Sequence, residues 1–131
     1  MGGLGVPEAT VLRRARGLLL EAESSRSPAE RFRLAHLAAL RSTAALFAAI
    51  NPDRGPTRRP VNAWTTLAQV APDLSGWARV FAGSAPKRAA AEAGLDREIS
   101  DLDAEQQVLA ARAFLDVVEE RIGRVEVALA G

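Results

Sequence analysis

Apolar residues recur every three or four positions along most of the chain, which is the spacing of one face of an α-helix. The first such segment runs from Pro7 to about Glu23, and proline is well placed in the first turn of a helix. Its apolar positions are Val11, Ala15, Leu18 and Ala22. The pattern therefore predicts an amphipathic first helix.

The second segment is apolar around nearly its whole circumference. Ser27 and Glu30 have the spacing of a capping box, and Pro28 lies at the first helical position. The helix that they open can continue to Ile50, before Asn51 and a proline end it. Because both sides of this helix are apolar, we expect it in the middle of a helical bundle.

The middle of the chain predicts one irregular segment and several short helices. Residues 51–61 contain three prolines and a glycine, which exclude a helix there. Asn62 can then cap a helix through Val70. Further helical segments follow from Pro72 and from Pro86, and glycine at position 94 ends the last of them.

The final segment has the most regular pattern. Ser100 can cap a helix whose apolar residues alternate steps of four and three, a heptad pattern suited to lengthwise packing. These residues are Ala104, Val108, Ala111, Leu115, Val118, Ile122, Val125 and Leu129. The predicted core of the whole protein consists of Leu37, Phe47, Trp64, Trp77, Phe81, Val108, Leu115, Val118 and Ile122.

Composition supports an all-α fold. The 131 residues include 27 alanines and 16 leucines, the strongest apolar helix formers, and few strand-favouring residues. This length fits a single domain over residues 1–131, with the 51–61 loop inside it, and we predict one bundle of four to six helices. Without a signal peptide or a membrane-length apolar run, we expect a cytoplasmic protein that does not associate with membranes.

Several kinds of site can be dismissed. Cysteine is absent, His36 is the only histidine, and neither a phosphate-binding loop nor a Glu-x-x-His pair occurs. We therefore expect no metal and no cofactor. The net charge is only +1, but residues 98–131 are acidic and the rest of the chain is basic. This asymmetry fits either charge pairing that orients the helices within the chain or charge pairing between two subunits.

His36 is the one candidate for acid–base chemistry. Beside an arginine, a histidine can transfer protons while the guanidinium stabilises charge on a phosphate, which is the logic of metal-independent RNA cleavage. On a regular helix Arg31 and His36 lie about 140° apart, whereas Arg33 is only about 60° from His36 and is the better partner. The alternative is a structural, partly buried histidine, which we favour.

Arginines in the irregular segment are a second polar feature. Arg54, Arg58 and Arg59 lie close together in sequence and could contact phosphate or an acidic partner. No aromatic residue is interleaved with them, so base stacking has no platform there. A solvated loop is the simpler interpretation, and we favour it.

The stretches A29-E-R-F-R-L-A-H-L-A-A-L-R41 and V61-N-A-W-T-T-L-A-Q-V-A-P-D-L-S-G-W77 resemble a small actinobacterial HEPN (higher eukaryotes and prokaryotes nucleotide-binding) family. The resemblance extends from about Val11 to Val125, and its most specific part is the block between the two tryptophans. It implies a helical bundle of about four main helices.

HEPN domains include RNA-cutting toxins with an Arg-x4–6-His motif, and modules without it that bind partners, often beside a nucleotidyltransferase. Arg31 and His36 match the spacing, but the motif lies earlier in this bundle than in most of the superfamily. We therefore favour a non-enzymatic module that binds a nucleotide, RNA or a protein partner, within a toxin–antitoxin or nucleotidyltransferase-associated system. The alternative is a metal-independent endoribonuclease. The resemblance also favours a homodimer.

Overall fold

The computed structural model describes residues 5–51 and 62–130, and this part of the chain is helical with no strand. Short 3-10 turns at Pro72–Leu74 and Asp96–Glu98 separate some of the helices. The helices are α1 (Gly5–Ser24), α2 (Pro28–Ile50), α3 (Ala63–Val70), α4 (Ser75–Gly83), α5 (Ala85–Glu92) and α6 (Asp101–Ala130). The predicted all-α bundle with a long final helix is confirmed.

Side-chain caps fix where α2 and α3 begin. Ser27 Oγ accepts a hydrogen bond from the Glu30 amide at 3.2 Å, and Asn62 Oδ1 accepts one from the Thr65 amide at the same distance. The predicted reciprocal bond at Ser27 is wrong, because the Glu30 carboxylate instead accepts both guanidinium bonds of Arg33.

A full capping box occurs at the start of α6. The Asp103 amide donates to Ser100 Oγ, and the Ser100 amide donates back to Asp103 Oδ2, both at 3.0 Å. The predicted cap at Ser100 is confirmed, and Asp103 completes the box. Gly94, with φ of 79°, supplies the left-handed residue that follows α5.

Three long helices form the framework of the bundle. The loop of residues 25–27 joins α1 to α2, and α2 then packs along α6. Arg31 pairs with Asp101 and His36 contacts Gln107, so α2 and α6 run parallel with an offset of about 70 residues in sequence. In contrast, Arg16 on α1 pairs with Asp116 and Glu119 on α6. Glu23 lies later on α1 but pairs with Arg112, which lies earlier on α6, so these two helices run antiparallel. Ion pairs between opposite charges thus hold α6 against α1 and α2 of the same chain.

The core is aromatic where the short helices meet α2 and α6. Trp64 stacks on Phe81 with ring centroids 5.0 Å apart, and Phe114 packs against Phe81 at 5.3 Å. The predicted core is largely confirmed, but Leu37 and Trp77 are only partly buried. Phe114 is fully buried and was missing from the prediction.

The apolar seam of α6 is shorter than predicted. It is buried as far as Ile122, whereas Val125 is half-buried and Leu129 is 59% exposed. The parallel register explains the difference, because α2 ends at Ile50, which places its last turn near residue 120 of α6. Beyond that level α6 lacks the cover of α2. None of the helices in the described ranges combines the length and hydropathy that a membrane span requires.

Candidate functional site

His36 lies in the interior of the bundle, on the middle of α2, with 1% of its surface exposed. Trp64 and Phe81 present their rings edge-on to the imidazole, with centroids at 5.7 and 5.9 Å. The side chain is therefore enclosed by residues of α3 and α4. A substrate phosphate would need these aromatic side chains to move before it could reach the ring.

Two polar side chains lie within hydrogen-bond distance of one nitrogen of the ring. Gln107 Nε2 lies 3.0 Å from His36 Nδ1, and Ser84 Oγ lies 3.3 Å from the same atom. Gln107 Nε2 also donates to Ser84 Oγ at 3.1 Å, and Ser84 Oγ donates to the Phe81 carbonyl at 3.0 Å. Because the amide nitrogen donates, Nδ1 accepts and the ring proton is assigned to Nε2. We call His36, Ser84 and Gln107 the polar cluster.

The surroundings keep His36 neutral. Burial, together with the smaller effect of the positive charge of Arg88 on α5, lowers the pKa of the imidazole to about 4. At pH 7 the ring is therefore uncharged, in agreement with its role as an acceptor for Gln107. With this pKa the ring lacks, near neutral pH, the second proton that an imidazolium would give to a leaving group.

The arginines that sequence spacing paired with His36 lie elsewhere. Arg31 donates to the Ser25 carbonyl at 3.3 Å and pairs with Asp101 at 3.1 Å, at the start of α6. Arg33 makes a two-point contact with Glu30, at 3.0 and 2.8 Å. Both guanidinium groups are thus occupied at the outer surface. Arg54, Arg58 and Arg59 lie outside the described residues.

Sequence reasoning missed the residues that do surround the imidazole. Arg88 bonds Glu92 through Nη1 at 3.3 Å, while its buried Nε has no hydrogen-bond partner among the described atoms. Gln107 had a readable signal, because it follows Ala104 by three positions and precedes Ala111 by four, and so lies on the apolar side of α6. Within residues 5–51 and 62–130, no group of three or more acidic or histidine side chains is placed to hold a metal ion.

The sequence itself places this bundle in a protein family. The model of the SAV_6107-like HEPN family matches residues 22–119, which include α2 to α5 and most of α6. The chain belongs to this family. No curated protein and no solved structure matches the chain.

Proposed function

We propose that this chain is a non-enzymatic HEPN module that works by binding a nucleotide, RNA or a protein partner. The observation that carries the proposal is the enclosure of His36, whose ring accepts a hydrogen bond from Gln107 within an aromatic core. A general acid or base must reach its substrate, and an arginine must reach the same phosphate. Arg31 and Arg33 are instead held by other partners.

The setting that we propose is a cytoplasmic homodimer beside a nucleotidyltransferase or within a toxin–antitoxin pair. The apolar circumference of α2 is covered within the chain itself, where thirteen of its residues are buried. We therefore infer that the homodimer uses another surface.

RNA cleavage in the presence of EDTA tests the proposal. Wild-type protein and the variants His36→Ala, Arg31→Ala and Arg33→Ala are incubated with end-labelled single-stranded RNA. We expect no protein-dependent cleavage by any of them. The free energy of unfolding of His36→Ala should fall by about 1–3 kcal/mol, because Gln107 and Ser84 lose a buried partner. Cleavage by the wild type that disappears in His36→Ala would overturn the proposal.

A further inference from the structure

A groove of 470 Å³ lies between α1 and α6. Leu12, Ile122 and Gly123 form an apolar floor. Charged residues form its two edges, with Arg13 and Arg16 on α1 and Glu119 and Glu126 on α6. We call this feature the α1–α6 groove.

The two edges carry opposite charge, and only part of that charge is neutralised within the chain. Arg16 pairs with Asp116 and Glu119, both at 2.7 Å. Neither Arg13 nor Glu126 has an ion-pair partner among the residues that the structure describes. Arg13 is exposed and Glu126 is half-buried. One basic and one acidic group therefore remain available along the same groove.

Apolar surface continues along the groove in both directions. A Cβ atom at Gly123 would meet nothing within 4 Å, so the floor is open at this position. Val127 lies one helical turn beyond Gly123 and is 72% exposed, and Leu20 lies one turn beyond Arg16 and is 66% exposed. Exposed apolar side chains thus extend the surface of the groove at both of its ends.

We propose that the face of α1 and α6 that flanks the α1–α6 groove packs against the same face of a second copy of this chain. The inference rests on the homodimer of the proposed function and assigns its contact surface. A two-fold axis parallel to the helices places α1 of each chain over α6 of the other, so that each basic edge meets an acidic edge. An axis across the helices would place α1 over α1 and oppose like charges. The charge pattern therefore selects both the occupant and the direction of the axis.

A charge-exchange experiment tests this geometry. Arg13→Glu and Glu126→Arg are prepared separately, and dimer dissociation constants are measured by analytical ultracentrifugation. Each variant alone should weaken the homodimer by about tenfold, because the two-fold axis repeats every altered contact. An equimolar mixture of the two variants should form a heterodimer with near wild-type affinity, which native mass spectrometry distinguishes by mass.

A leucine in the floor provides a test that does not depend on charge. Gly123→Leu should place a bulky side chain between the two faces and weaken the dimer by more than tenfold, while circular dichroism shows unchanged helix content because a Cβ atom at this position meets no neighbour within 4 Å. Gly76→Leu is the matched control, since position 76 on α4 is also open and lies outside the groove.

The charge-exchange experiment has its own control. Arg14→Glu, on an exposed position that does not line the groove, controls for the change of net charge.

Three results would overturn the inference, and they separate it from the proposed function. A wild-type chain that is monomeric at all concentrations would remove the homodimer, as expected if a different protein occupies the groove. A wild-type dimer that the groove variants leave intact would place the contact on another surface and remove only this inference. Failure of the mixed variants to pair would show that Arg13 and Glu126 do not meet across chains. RNA cleavage dependent on His36 would instead overturn the non-enzymatic function.

Discussion

The polar cluster and the α1–α6 groove place polar side chains in opposite situations. Around His36, residues from α2, α6 and the junction of α4 with α5 bond to one another inside an aromatic core. Along the groove, Arg13 and Glu126 find no ion-pair partner in the described part of their own chain. Burial without a hydrogen bond costs free energy, so an interior group must be satisfied by its own chain. A solvated group is satisfied by water and can pair with a second molecule later. We therefore expect binding at the groove.

Removing the aromatic wall of the polar cluster should have the largest effect on stability. Phe81 is fully buried and packs against His36, Trp64 and Phe114. We expect Phe81→Ala to lower the free energy of unfolding by about 3–5 kcal/mol in urea denaturation. The matched change at the groove, Leu20→Ala, should alter the stability of the monomer by less than about 0.5 kcal/mol. Equal losses would contradict the distinction between the two regions.

Removing the amide of the polar cluster should cost less than removing its aromatic wall. Gln107→Ala leaves His36 Nδ1 without its donor at 3.0 Å and creates a small cavity. We expect a loss of about 1–3 kcal/mol in the free energy of unfolding. Gln106→Ala changes the exposed neighbour and should be nearly neutral, so a thermal denaturation series on the two variants isolates the buried bond. A neutral Gln107→Ala would show that the cluster contributes nothing to the fold.

Acidification should destabilise the protein through His36. The folded-state pKa of about 4 lies below the usual value of 6.5, so the unfolded chain binds the extra proton first as the pH falls. The stabilisation is complete above about pH 6.5 and decreases down to about pH 4. Between pH 7.5 and pH 5 the wild type should lose about 2 kcal/mol.

The variant His36→Gln isolates the contribution of this one residue to the pH dependence. This variant should lack the part of the pH dependence of stability that His36 contributes, because the carboxylates that both proteins share titrate alike. Urea denaturation at several pH values measures the difference between the two. Identical slopes would mean that His36 is protonated as easily in the fold as outside it.

The smallest effect is expected at the edge of the groove. Arg16 makes two ion pairs, but Asp116 and Glu119 are about two-thirds exposed. Arg16→Gln should therefore cost less than about 1 kcal/mol, and added salt should remove most of that difference. A larger loss that persists in high salt would indicate that this edge supports the monomer fold and is not mainly a contact surface.

Local sequence patterns predict most of the fold, because three of the helices begin at a capping residue that is visible in the sequence. Ser27, Asn62 and Ser100 cap α2, α3 and α6 as their side chains predict. The exposure of Leu129 could not be predicted, because the heptad pattern continues past the level at which α2 ends. That level depends on the register between two helices distant in sequence, which periodicity does not contain.

The surroundings of His36 were predictable only in part. Enclosure of a lone histidine on an apolar helix is the ordinary outcome, and helix geometry already separated it from Arg31. Ser84 and Gln107 lie 48 and 71 residues away from it in sequence, so no spacing rule connects them to His36. Only Gln107 carried a signal, as a polar residue on the apolar side of α6. The groove was not predicted, because it depends on how α1 and α6 face each other.

The parallel packing of α2 on α6 has a consequence for the order in which the chain folds. The α1–α2 hairpin needs only a three-residue connection, whereas Arg31 must meet Asp101 across 70 residues. Closing the longer loop costs roughly 3 kcal/mol more in chain entropy, so the hairpin can form first and α6 docks onto it afterwards. The bond between His36 and Gln107 belongs to this docking step. Until α6 docks, the imidazole on α2 lacks the hydrogen bond that Gln107 donates in the folded chain.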